Sequence, residues 1–160
     1  MAYRTLVRPH LEYASVVWDP FTKRDTQRLE QVQRHAARWV MGDYHWGSSV
    51  TGMLRVLEWE PLCQRRLAAR LTMVYRIMRD EVAIPKDMFF QMNGNQQTRS
   101  STKYKLTRFQ PRGNIDKFAF AQRSVPEWNR LPEQIVDAPS LGTFKERLSV
   151  YLNMRGPGVD

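Results

Sequence analysis

Apolar positions in this 160-residue chain recur at steps of three and four over most of its length, the spacing of helices with one buried side. Tyr3, Leu6, His10, Tyr13 and Val17 mark such a stripe over 3–18. Pro9 interrupts it, because a missing N–H and a fixed ring kink or restart a helix. Trp18-Asp19-Pro20 then reads as a turn. From Thr22 to Met41 a second stripe, Leu29, Val32, Ala36 and Val40, predicts a helix capped by Thr22 or Asp25 and closed by Gly42. Val50, Met53, Leu54 and Leu57 predict a short helix over 48–57, with Ser48 or Ser49 as its cap. Pro61 suits the first position of a fourth helix, which runs toward Glu81 with Leu67, Leu71, Val74 and Met78 turned inward. Asp80 and Glu81 at that end oppose the helix macrodipole.

The pattern breaks over 91–115. Little in Gln91–Thr102 favours burial, so the segment reads as a long loop, followed by a brief extended piece over Tyr104–Phe109. Phe118, Phe120 and Val125 lead to Pro126, which opens a short helix through Trp128, and Leu131-Pro132 ends it. Ser140 caps a last helix whose Leu141, Phe144, Leu148 and Leu152 face the core. The expected fold is all-α: an irregular bundle of about five to six helices with a long basic loop and room for one short extended segment. The expected organisation is a helical domain over 1–82, a basic mobile loop over 83–115, a helical extension over 116–153 packing on the first part, and a disordered tail over 154–160.

Charge changes this picture from a plain helical bundle to one with a partner. Lys and Arg number 25 against 16 Asp and Glu, a formal charge of +9. The excess gathers in 83–115, where six cations stand against Asp87, and in the opening helices. Clustered cations gain free energy by releasing counterions from phosphates, so a polyanion is the leading partner and a merely basic surface the plainer alternative. On the second helix Arg24, Arg28, Gln31, Arg34 and Arg38 follow one another at steps of three or four opposite the apolar stripe, with Glu30 the nearby acid. Arg65, Arg66 and Arg70 of the fourth helix and Arg99, Lys103, Lys105, Arg108 and Arg112 of the loop complete the candidate nucleic-acid-binding set. Such contact is directed at the backbone and selects sequence weakly. Trp59 and Trp128, between apolar segments, are expected in the core; Trp39 and Trp46, at the end of the basic helix, suit either burial or stacking on unpaired bases.

Candidate chemistry is sparse. There is no Asp-Asp pair for a two-metal site, and His10, His35 and His45 lack the spacing of a metal-binding pair. The lone Cys63 suits a packed thiol, and no phosphate-binding or nucleophile-elbow motif occurs. No catalytic residue, metal ligand, cofactor or small-molecule substrate is therefore expected. The sequence has no apolar run of about 18 residues for a membrane span and no signal peptide, which points to an intracellular protein, nuclear or cytoplasmic and not secreted.

Several runs carry a resemblance. They are Leu6-Val7-Arg8-Pro9-His10-Leu11-Glu12-Tyr13-Ala14-Ser15, then Leu29-Glu30-Gln31-Val32-Gln33-Arg34-His35-Ala36-Ala37-Arg38, then Ser49-Val50-Thr51 with Met53-Leu54. Trp59, Leu62, Arg65-Arg66, Arg70-Leu71 and Tyr75-Arg76-Ile77 follow, and Trp128-Asn129 with Leu131-Pro132 and Ser140-Leu141 with Phe144-Lys145 complete the series. In this order, over roughly Ala2 to Leu152, the chain resembles the region after the polymerase core in reverse transcriptases of non-LTR, LINE-type retrotransposons of the jockey-like group. The resemblance implies a thumb over the first part and a C-terminal helical extension. It implies a parent that performs RNA-directed DNA polymerisation, with the catalytic palm and its Mg2+ upstream and outside this chain. The expected function is then that of a non-catalytic fragment, not an enzyme on its own, gripping template–primer through RNA or DNA phosphates and bracing the palm. Phe120-Ala121-Gln122-Arg123 and Gly142 depart from the family pattern and suit a decaying or repurposed copy. The alternatives are a helical protein-interaction module, which predicts an exposed apolar face on the first helix, and a non-functional relic.

Overall fold

The computed structural model describes residues 2–92, 104–107, 110 and 119–156. Arg99, Lys103, Arg108 and Arg112, much of the expected basic loop and residues 157–160 lie outside the described residues. The protein is mostly helical, as the periodicity predicts, and it divides within one helix into two compact units, 1–67 with 156–160, and 68–155.

The first unit opens with a π-helical segment, Tyr3–Val7, running into α1 (Arg8–Glu12). Pro9 sits in the first turn of α1, just after the junction with the π-helical segment. Tyr13 leaves the helix, Ala14 takes a left-handed conformation with φ 49°, and α2 (Ser15–Trp18) follows. The expected single stripe over 3–18 is thereby broken: Tyr3 is buried, but Leu6, His10, Tyr13 and Val17 all face solvent.

Helix α3 (Lys23–Met41) starts where Thr22 Oγ1 accepts the Asp25 N–H at 3.1 Å and ends at Gly42, whose φ of 64° an L side chain adopts at a cost. Its buried line is Gln33 and Ala37, one residue beyond the expected Val32 and Ala36, so the helix is rolled by about 100° from the apolar stripe. The cause is polar. Tyr3 donates its hydroxyl to Gln33 Oε1 at 3.2 Å, and Gln33 Nε2 donates to the Glu60 carbonyl at 2.9 Å, which satisfies an amide with no exposure at all.

Ser49 caps α4 (Val50–Val56), accepting the Gly52 N–H at 3.2 Å. Val50, Met53 and Leu54 close on Ala37, with Leu57 and Trp59 packed against the cluster, and Trp59 stacks on Tyr3 at 4.2 Å. Helix α5 (Leu62–Met78) stops short of the expected Glu81, because Asp80 adopts φ 56°. Asp80 and Glu81 therefore lie past the last turn. They pair with Lys86 at 3.3 Å and Arg76 at 3.9 Å, which removes the macrodipole conflict.

In the second unit α6 (Lys86–Phe89) leads to β1 (Gln91–Met92), which pairs antiparallel with β2 (Leu106–Thr107) in the register Gln91–Thr107, Met92–Leu106. The extended piece near 104–109 is thus present as two residues, with a partner strand in what reads as loop sequence. Asn129 secures it, accepting the Leu106 N–H at 2.9 Å and donating to the Leu106 carbonyl at 2.8 Å. Helix α7 (Phe120–Asn129) begins six residues before Pro126, which lies inside the helix rather than at its start. Helix α8 (Glu133–Val136) and α9 (Leu141–Arg155) follow, with the Ser140 hydroxyl accepting the Thr143 N–H at 3.2 Å. Leu71, Val74, Tyr75 and Ile77 are buried here with Trp128, Ile135, Val136, Phe144, Leu148 and Leu152. Tyr75 stacks on Phe144 at 4.4 Å and donates its hydroxyl to the Ala138 carbonyl at 2.8 Å. Among the described residues no helix is long and apolar enough to cross a membrane.

Candidate functional site

The roll of α3 decides which cations face outward. At about 100° per residue, the side opposite Gln33 and Ala37 carries Arg24, Arg28, Gln31, His35 and Trp39 in one line, with Arg34 to its flank. All six are exposed, Trp39 by 62%. Asp25 is the acid beside the line, 3.8 Å from Arg28 across a solvent-exposed pair worth at most about 1 kcal/mol. Glu30, expected to serve that role, turns inward and accepts the Cys63 N–H at 2.6 Å.

Arg38 does something else. Its Nη1 donates to the carbonyls of Asp43 at 3.3 Å and His45 at 2.9 Å, and its Nη2 to Ser48 at 3.4 Å. One guanidinium thus folds the segment after Gly42 back onto the end of α3. The Asp43 carboxylate accepts the His45 N–H at 3.0 Å, and the Ser48 hydroxyl followed by that N–H holds its carboxyl below the usual range. The loop so held presents Tyr44, exposed by 66%, and Trp46, exposed by 90%, with the His45 ring 6.2 Å from the Trp46 ring.

Arg65, Arg66 and Arg70 are corrected by their surroundings: they build the interior. Arg65 is mostly covered and ion-pairs with Glu12, which also pairs with Arg8. Burial pulls the Arg65 guanidinium below its ordinary pKa, and Glu12 opposes that shift. Arg66 is 2% exposed, lies over the Trp18 ring at 5.2 Å, donates Nη2 to the Leu11 carbonyl at 3.3 Å, and has Nε 3.8 Å from Asp19 Oδ1. Its Nε and Nη1 find no hydrogen-bond partner among the described residues. Arg70 is 8% exposed. These three are poorly placed to meet a phosphate. Lys105, half-buried, lies in the second unit just before β2.

Two further groups are tuned by burial in the first unit. The Tyr3 hydroxyl is pushed up to about 12, and the Cys63 thiol to about 11 by burial and then by the Glu30 carboxylate. Cys63 is the packed thiol its helix position suggests. Among the described residues no three His, Cys, Asp or Glu side chains are grouped to hold a metal ion. Sequence reasoning found the cations of α3, with His35 among them, and Trp39 at the end of the helix, but not that Trp39 falls on the same line. Gln33, a polar residue amid the LEQVQRHAA run, is the signal that relocates the buried side. Comparison with protein-family models, with curated proteins and with solved structures gives no match.

Proposed function

We propose that the chain is the thumb-like, post-palm region of a LINE-type reverse transcriptase, and that its first unit holds nucleic acid through the backbone phosphates. The chain's part is to bind rather than to catalyse. The observation that carries this reading is the exposed line on α3, where Arg24 and Arg28, flanked by Arg34, lie on a helix side with Asp25 as its neighbouring acid. The phosphate-binding set narrows from twelve residues to these three and whatever the basic segment outside the described residues adds. A second reading has its own observation. Leu6 and Val17 of the opening helices, with Tyr13 and Phe21 of the turns that follow them, are exposed, Val17 by 86%, and exposed apolar side chains in this region support a protein-interaction module. On the retrotransposon reading its occupant is the upstream palm.

The test is the salt dependence of duplex binding. With Z phosphates neutralised, log K falls with slope about −0.9Z. R24E/R28E/R34E is expected to weaken binding at least tenfold and to flatten the slope, whereas L6D/V17D leaves both unchanged. Binding indifferent to salt and to the triple reversal removes the nucleic-acid reading. Self-association abolished by L6D/V17D and indifferent to nucleic acid establishes the interaction module in its place.

A further inference from the structure

The aromatic end of α3 is absorbed by neither reading, and it says which form of nucleic acid the site takes. We propose that Trp39, Tyr44 and Trp46 form a stacking platform for unpaired bases, so that the first unit prefers single-stranded nucleic acid over duplex. The inference rests on the phosphate reading above.

Exposure comes first. Large rings left in water forfeit the burial that ordinarily stabilises them, and Trp46 at 90% exposure contributes almost nothing to its own fold. Rigidity comes second. The three carbonyl bonds from Arg38 and the Asp43 carboxylate on the His45 N–H hold the loop that carries Tyr44 and Trp46. Rings on a fixed backbone lose less entropy on stacking than rings on a loose loop. Charge comes third. Trp39 continues the line of Arg24, Arg28 and His35, about 22 Å along the helix from Arg24 at 1.5 Å per residue. Cations along a track with aromatic rings at its end are what an unpaired strand needs, since phosphates meet the first and splayed bases the second. A duplex keeps its bases stacked inside and offers these rings nothing comparable. A protein partner would also cover the rings, but the acid-poor basic line leading to them is complementary to a polyanion.

The experiment uses the full chain and two labelled probes, a mixed-sequence single-stranded DNA oligonucleotide and the duplex it forms with its complement, titrated by fluorescence anisotropy. The wild type is expected to bind the single strand more tightly and to lose tryptophan fluorescence on doing so. W39A/W46A is expected to weaken single-strand binding by tenfold or more, because the bases lose the rings they stack on, and to change duplex binding less than twofold. W39F/W46F should restore part of the loss. Both rings are exposed, so unfolding midpoints should stay at the wild-type value. If both probes bind and W39A/W46A keeps full single-strand affinity, the platform is wrong and the phosphate reading stands. If neither probe binds, both are wrong. If W39A/W46A instead abolishes self-association, the rings belong to a contact between copies of this chain and the inference is overturned.

Discussion

The two units of this protein differ most in the apolar side chains they leave exposed. In the second, Phe144, unexposed, stacks on Tyr75 and lies 6.1 Å from Trp128, and the buried polar residues are Ser124 and Arg70 among those described. Among the described residues its exposed large apolar side chains are Met88, Val150 and Met154. The first unit places Gln33, Gln64, Ser15 and Arg66 inside and leaves Leu6, Tyr13, Val17, Phe21, Trp39 and Trp46 outside. A domain selected for stability alone has no use for that exchange, because burying polar groups gains little and exposing rings forfeits burial. The rings and aliphatic side chains left exposed make the first unit's surface the place where a partner is to be sought.

The comparison breaks most easily at Phe144. Truncating a fully buried aromatic costs about 3–5 kcal/mol, so F144A should lower the urea midpoint of the protein more than any single change at an exposed first-unit ring such as W46A. A loss below about 1 kcal/mol would falsify the picture of a tightly packed core around Phe144.

Next in size is the buried cation. Arg66 lies against Asp19, whose side chain is 13% exposed, yet two of its nitrogens lack hydrogen bonds among the described residues. A pair so incompletely satisfied stabilises little relative to an apolar side chain of similar length, but removing only the acid strands a buried positive charge. R66M is thus expected to change stability by less than about 1 kcal/mol, while D19A costs roughly 3 kcal/mol by chemical denaturation. If R66M proves the more damaging of the two, the guanidinium holds the first unit together through its contact with the Trp18 ring and the Leu11 carbonyl. The polar interior would then be a source of stability rather than a concession.

How far the sequence discloses this division can be followed residue by residue. Thr22, Ser49, Ser140 and Gly42 announce helix ends because their effect is local, one hydroxyl or one left-handed residue acting within three positions. Leu71, Val74, Phe144, Leu148 and Leu152 announce the second unit's core because its buried side is the apolar side. The first unit hides its orientation. Gln33 turns inward for the Tyr3 hydroxyl, 30 residues away in the chain, and no period in the sequence encodes that bond. Arg65 and Arg66 read as surface cations because Glu12 and Asp19, which neutralise them, are more than 40 positions distant. Pro126 reads as a helix start by local rule, yet it is tolerated within α7, where Trp128 and Val125 are held by burial. The exposed line on α3 was thus half legible: its cations and the tryptophans at its end by type, its face and the exposure of those rings only after folding.

The smallest effect is set by pH and again separates the units. Burial in the first unit raises the Cys63 thiol from an ordinary 9.0 to about 11 and the Tyr3 hydroxyl from 10.0 to about 12. In both cases the native state keeps a proton that the unfolded chain releases earlier. Stability is therefore fully present below about pH 9 and declines as pH rises toward the folded values near 11 and 12. Unfolding midpoints from neutral pH to about pH 12 should show C63A delaying the onset of the fall from about 9 to about 10, where Tyr3 begins to act. Y3F keeps the ring stacked on Trp59 but removes the hydroxyl that Gln33 accepts, so it should cost about 1 kcal/mol at neutral pH and flatten the alkaline limb. A wild-type midpoint that stays constant across this range would mean that Tyr3 and Cys63 are solvated in the native state. The polar packing around Gln33 that rolls α3, and turns Arg24, Arg28 and Trp39 outward together, would then lose its anchor.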